Sequence, residues 1–214
     1  MVFLKEDLIK CVETTKPEGF ELIYHTGVIH FVNLNSLSEN RIGITFAHYF
    51  PHSITFTGIS NSITYKIIED ILFQNSKNLG LEYSSASSFR SSVGSNSSKY
   101  SVVDKKIESE SQFLELKPNI EYIINNYCLP FFEKYQDLYN VAELLSSLKP
   151  QEVVPYIQGA KLFCKTILIL RESNHPRFQE KRDEFYEVLK KQANKKEVYK
   201  QQLKLFESLF YSEV

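Results

Sequence analysis

Four of the five histidines, His25, His30, His48 and His52, fall between Phe20 and Thr57. Imidazole titrates near neutral pH and ligates zinc and similar ions, so this clustering is the first place to look for chemistry. If Thr26-Gly27 forms a two-residue hairpin turn, His25 pairs with Val28 and lies diagonal to His30 on one face, ~7–8 Å away between backbones. A metal site needs a third ligand, which Glu21 or a group on another strand would have to supply. A metal-dependent hydrolase therefore requires at least three of His25, His30, His48, His52 and Glu21 to converge. Pro51, between His48 and His52, leaves the relative direction of those two undetermined. No His-Glu-x-x-His or Cys-x-x-Cys pattern accompanies them. Strand histidines that are hydrogen-bonded or at a sheet edge are the simpler expectation, with no metal and no other cofactor.

Covalent catalysis has weaker support. The serines include no Gly-x-Ser-x-Gly elbow, and Cys11, Cys128 and Cys164 stand in apolar helical patterns without a base close in sequence. Their spacing suits neither a zinc site nor a disulfide framework, so they read as small buried hydrophobes in a reducing, cytoplasmic setting. Val93-Gly94-Ser95 and Gly58-Ile59-Ser60 are too poor in glycine to cradle phosphate, and no Walker or dinucleotide fingerprint occurs.

Charge and aromatic content suggest binding rather than catalysis. From Arg177 to Lys204, nine bases (Arg177, Lys181, Arg182, Lys190, Lys191, Lys195, Lys196, Lys200 and Lys204) outnumber five acids (Glu180, Asp183, Glu184, Glu187 and Glu197). Nine minus five leaves +4, a surface that would follow a phosphate backbone if it were unpaired. Interleaved acids at helical spacing favour a solvated helical face instead, with Glu187–Lys191 as one pair. Sixteen Phe and thirteen Tyr with no Trp make the chain rich in these aromatics; most are expected in the core, but exposed ones can anchor a protein interface. Tyr83, Phe89, Arg90 and Tyr100 lie in or beside a serine-rich stretch and are the expected interaction residues.

The elements that must position these groups begin with a sheet. Alternation runs through Phe20–Leu34 and again from Arg41 to Phe50, with Ser53 to Thr57 as a short further strand. The hairpin register puts Phe20, Leu22, Tyr24, Ile29 and Phe31 on the core face; the next strand has Ile42, Ile44, Phe46, His48 and Phe50 on one side and Arg41, Gly43, Thr45, Ala47 and Tyr49 on the other. Short links imply an antiparallel meander. A first helix covers residues 3–15. Ser60-Asn61-Ser62 offers N-cap types for a helix carrying Ile63, Ile67, Ile68, Ile71 and Leu72, although Ile63, Tyr65 and Ile67 also alternate as a strand would. Ten serines between 84 and 101 suggest a flexible loop; the alternatives are a flap over a ligand or an ordered strand with Phe89 inward.

From Lys117 onward the pattern is helical. Pro118 is expected at a first helical position, followed by the stripe Ile120, Ile123, Ile124 and Tyr127, with a kink or split at Pro130. Asp137 is placed to cap the next helix, a third runs from Glu152 to Glu172, and two more carry Phe178–Leu189 and Tyr199–Phe210. No 34-residue self-similarity marks a helical repeat.

The segment Ile123-Ile-Asn-Asn-Tyr-Cys-Leu-Pro130-Phe-Phe-Glu-Lys-Tyr-Gln-Asp137-Leu resembles the "long helix, Leu-Pro, aromatic, Asp-Leu" segment of a family of small bacterial α+β domains of unknown function. Gly19-Phe20 matches that family's entry into an N-terminal antiparallel sheet, Asn174-His175-Pro176 is similar to its helix junction, and Phe89-Arg90 is the nearest counterpart of its Arg-bearing strand. The resemblance implies an antiparallel sheet followed by helices and no assigned activity. By analogy it implies an immunity-like, partner-binding role.

Length and balance agree with that class. With 214 residues, 43% hydrophobic and a net charge of −1, the chain holds enough for a core and has no global attraction to nucleic acid or anionic membrane. Met1 to Asp7 lacks an apolar signal region, and no apolar run approaches the ~20 residues of a membrane span. The expectation is a single α+β domain over 1–214: helix, sheet and helix to residue 80, a Ser-rich loop over 81–116, and about five helices over 117–214. Its job is expected to be binding another protein in the cytoplasm, with a metal-dependent hydrolase or a nucleic-acid binder as alternatives.

Overall fold

Alternation between polar and apolar residues is strongest from Glu21 to Tyr49, and there the backbone forms three consecutive strands. The computed structural model describes residues 4–49, 53–84, 87–92, 101–159 and 161–211, without the side chains of His48, Tyr49, Ser53 and Ser92. In chain order the elements are α1 (Lys5–Glu13), β1 (Glu21–His25), β2 (Val28–Leu34), β3 (Ser38–Tyr49), β4 (Ser53–Tyr65) and α2 (Lys66–Asn78). Then come β5 (Phe89–Ser92), β6 (Lys105–Ile107), α3 (Glu110–Ile123), a π turn (Ile124–Cys128) and α4 (Leu129–Tyr135). The chain finishes with α5 (Leu138–Ser146), α6 (Leu162–Glu172), α7 (Phe178–Ala193) and α8 (Glu197–Phe210). The class is α+β as expected, with six strands rather than three or four, in the order β1-β2-β3-β4-β5 and β6 on β4.

Two compact units divide the chain: Met1–Ser62 with Ser91–Glu133, and Ile63–Arg90 with Lys134–Val214. In the first, the Thr26-Gly27 turn forms as its residues dictate. Gly27 has φ +78°, a conformation that a side chain disfavours. The register is the one expected, with His25 opposite Val28, Tyr24 opposite Ile29 and Leu22 opposite Phe31. β3 continues the antiparallel sheet, pairing Ile42 with Phe31 and Gly43 with His30. Ile29, Phe31, Ile42, Ile44 and Phe46 are buried on one face, with Leu8 and Val12 of α1 also in the core.

β4 runs well past the expected Thr57. Its buried positions are Ile54 and Phe56, then Ile59, Asn61, Ile63 and Tyr65, so the inward phase slips by one residue at Thr57-Gly58. That slip hides the strand from a period-two search. Ser60-Asn61-Ser62 is consequently strand rather than helix cap, and α2 starts at Lys66. The later start rotates the buried stripe to Ile68 and Leu72 and leaves Ile67 49% exposed.

Of the Ser-rich stretch, residues 85–86 and 93–100 lie outside the described residues, and Phe89–Ser92 form strand β5. Phe89 is fully buried at the start of β5, the inward-strand alternative, and Val102 and Ile107 are buried beyond it. β6 pairs antiparallel with β4 through Ile54–Ile107 and Phe56–Lys105. α3 then begins at Ser109, whose hydroxyl accepts from the Gln112 N–H, so Pro118 lies inside the helix rather than at its first turn. Phe113, Leu116 and Ile120 carry one buried stripe across it, and Pro118 itself is exposed, where water can take the freed carbonyl. The π turn ahead of Pro130 winds the helix wider instead of splitting it.

In the second unit, Asp137 caps α5 as its residue type suggests, accepting from the Tyr139 N–H at 2.9 Å. α6 begins at Leu162, ten residues later than the Glu152 expected, because Pro150–Glu152 is a separate short 3-10 turn. α6 is buried on all sides from Phe163 to Leu170, and α2, α5, α7 and α8 pack around it. α7 and α8 follow, pack against each other and bury Phe185, Leu189, Leu205 and Phe206.

Candidate functional site

Lys165 lies in the middle of the apolar run of α6, where a charged side chain must find a partner or lose its charge. The partner is Glu69, in the first turn of α2, with Nζ 2.8 Å from Oε1. Their side chains are 2% and 9% exposed. Ser88 donates its hydroxyl to the same Oε1 at 2.8 Å, and the Tyr83 phenol donates to Oε2. Ser88 Oγ in turn accepts the Tyr65 N–H at 3.1 Å, and the Ser87 carbonyl lies 3.4 Å from Lys165 Nζ. The carboxylate is thereby held from three directions. Burial pulls the Lys165 pKa down, opposed by Glu69, while burial and the hydrogen bond to Glu69 push the Tyr83 phenol up. Tyr83 is thereby favoured as a neutral donor to the Glu69 carboxylate.

Beside this cluster opens a groove of about 460 Å³ lined by Leu81, Glu82, Tyr83, Ser84, Lys161, Val198, Gln201 and Gln202. Lys161 Nζ donates to Ser76 Oγ at 2.9 Å and to the Glu82 carbonyl at 2.6 Å, and sits 4.7 Å from the centre of the Tyr83 ring. Burial lowers its pKa, and Lys165 lowers it further. Gln202, at the floor, accepts the Phe163 N–H through Oε1. The groove thus presents one cation, one aromatic face and the apolar surface of Leu81 and Val198, the last 49% exposed.

The four expected interaction residues separate. Tyr83 forms the groove wall. Phe89 is a core residue stacked near Tyr135 and Tyr156 rather than an exposed anchor, because β5 turns it inward. Arg90 is partly buried, gives its N–H to the Tyr156 carbonyl at 2.8 Å, and keeps Nε buried without a hydrogen-bond partner among the described residues. Tyr100 lies outside the described residues.

The sheet brings His25 and His30 together, with ring centroids 5.6 Å apart. Burial, then Arg41, then His25 lower the His30 pKa to about 4, so this imidazole is neutral over the physiological range. Its buried Nδ1 has no hydrogen-bond partner among the described residues and lies over Gly43, where a Cβ would come within 3.5 Å of it. Glu21 faces Val32, further along the same strand pair. His52 and the side chain of His48 lie outside the described residues. Among the described residues, no three or more His, Cys, Asp or Glu side chains gather in a metal-holding group.

The C-terminal bases are largely engaged with acids along their own helices. Arg177–Glu180, Lys181–Glu184, Lys190–Glu187 and Lys200–Glu197 are ion pairs at i,i+3. Arg182 pairs with Asp183. Lys190 rather than the expected Lys191 takes Glu187. No described helix is long and apolar enough to cross a membrane.

Glu69, Ser88, Lys161 and Lys165 carried no motif. The one signal was Lys165 itself, a lysine inside the apolar run from Leu162 to Leu170. No family model matches the chain, and no curated protein and no solved structure is found to be similar to it.

Proposed function

We propose that this chain is a non-catalytic protein-interaction domain that receives its partner in the groove walled by Tyr83, Lys161 and Val198. The observation that carries the proposal is the contrast at that groove. The ionisable groups behind it are consumed by one another through Glu69, while Tyr83, Leu81 and Val198 keep open surface. A site built for acid–base chemistry would aim a group of shifted pKa at the cavity with a free proton position; here Lys165 and Tyr83 are directed at Glu69, and Lys161, whose pKa burial also lowers, is committed to Ser76 Oγ, the Glu82 carbonyl and the Tyr83 ring. The resemblance to bacterial domains of unknown function supports extending the proposal to an immunity-like role, in which a cytoplasmic partner is neutralised by being bound. The test is affinity capture with the full tagged chain and with Val198→Glu, both folded by circular dichroism, washed at high salt. One stoichiometric protein held by the native chain and lost by Val198→Glu is the expected result. Equal capture by both chains would remove the groove from the role.

Metal-dependent hydrolysis retains one supporting observation, the 5.6 Å approach of the His25 and His30 rings. Zinc titration followed by the histidine NMR signals tests it: saturable loss of both signals at stoichiometric zinc would favour it, and unchanged signals would end it.

A further inference from the structure

Lys161 differs from the other cations described above in what surrounds it. Its nearest hydrogen-bonding atoms are a serine hydroxyl and a backbone carbonyl, both neutral, and its third neighbour is the Tyr83 ring. No carboxylate forms an ion pair with it among the described residues. The nearby Lys165 adds a second positive charge, and the one buried acid there, Glu69, is shared among Lys165, Ser88 and Tyr83. Lys161 is therefore a groove cation with no ion-paired acid among the described residues. Glu82 lines the groove, yet it reaches Lys161 through its backbone oxygen while its side chain stays exposed. Next to this cation the wall changes to the apolar surface of Leu81, Tyr83 and Val198.

We infer that the groove takes an extended segment of a partner protein in which an acidic side chain, seated against Lys161, is followed by an apolar side chain against Tyr83 and Val198. The inference rests on the interaction role proposed above and gives that role a sequence preference. Charge complementarity fixes the occupant: the cation has no ion-paired acid among the described residues, and the apolar wall beside it gives an acidic residue an advantage only when an apolar neighbour travels with it. Lys161 also holds the Leu81–Ser84 segment through the Glu82 carbonyl, so an incoming carboxylate meets an ammonium already fixed in place, which lowers the ordering cost of binding.

The experiment pans a random heptapeptide display library on the full chain. It then measures the enriched peptide and its acid-to-amide twin by fluorescence anisotropy. The expected result is an acid followed by an apolar residue, with the twin bound about tenfold more weakly by the native chain. That difference should shrink to about twofold or less on Lys161→Gln and persist on Lys161→Arg, which keeps the charge and a donor for Glu82. Thermal melts of both variants confirm that the fold is retained. If enriched peptides are lost on Val198→Glu but show no acid preference, or if the twin's deficit persists on Lys161→Gln, this inference is overturned while the interaction role stands. If no enriched peptide depends on Val198, both fail.

Discussion

The two units bury ionisable groups by opposite means. On the sheet, His30 faces its neighbours with an Nδ1 that has no partner among the described residues, and it meets burial by giving up its charge, its pKa drawn down to about 4. Between α2 and α6, Glu69 and Lys165 meet deeper burial by pairing, with Ser88 and Tyr83 filling further hydrogen-bonding directions of the carboxylate. A neutralised group needs no counter-charge. A paired one depends on every member, because removing one leaves the other charged and dry. The difference locates sensitivity to mutation in the second unit and sensitivity to pH in the first.

The largest effect that would break this contrast is on the pair. Lys165→Met should cost about 3–5 kcal/mol in urea unfolding, since Glu69 is left buried without its cation. The double change Glu69→Leu with Lys165→Met should recover most of that loss. A single change costing under about 1 kcal/mol would show the pair to be no more than a surface contact.

Next comes acid sensitivity at the sheet. His30 has a folded pKa of about 4, below the 6.5 of its unfolded value. Between those values the unfolded chain binds the proton and the folded chain resists it, so stability is present above pH 6.5 and is lost as pH falls towards 4. Because the imidazole is only partly buried, the loss should be about 1–2 kcal/mol. His30→Leu should flatten that part of the stability–pH curve, and an NMR titration placing the native His30 near 6.5 would remove the contrast.

Smaller still is Tyr83→Phe. It deletes one of several donors to Glu69 and should cost about 1 kcal/mol, measured by thermal unfolding, with the groove kept. Gly43→Ala should have the least effect, under about 1 kcal/mol. Its Cβ would meet the Ser60 hydroxyl at 3.0 Å, which can rotate, and His30 at 3.5 Å. A shifted His30 ring signal without much loss of stability would confirm that this part of the sheet face has slack.

Legibility followed the range of the interactions. The hairpin at Thr26-Gly27, its register, the buried faces of β2 and β3 and the Asp137 cap could all be read, because each is specified by residues a few positions apart. Three features escaped for stated causes. The one-residue slip at Thr57-Gly58 broke the alternation of β4, so Ser60-Asn61-Ser62 looked like a helix start. Serine in β5 lacked the propensity that marks a strand, yet Phe89 alone supplied the inward anchor. Pro118 looked like a beginning because proline is favoured there, while the stripe through Phe113, Leu116 and Ile120 carried the helix across it. Of the candidate site, Tyr83 was legible as an aromatic beside a polar stretch, but not for what it touches.

By itself, then, the sequence determined the α+β class, the hairpin and the faces that turn inward, since backbone periodicity and turn chemistry are local. Only the tertiary structure decided that Lys165 meets Glu69, that Ser88 and Tyr83 donate to the same carboxylate, and that Lys161 stands in a groove with no ion-paired acid among the described residues. Those contacts join helices and turns far apart in the chain, and no local period encodes which buried charge will face which.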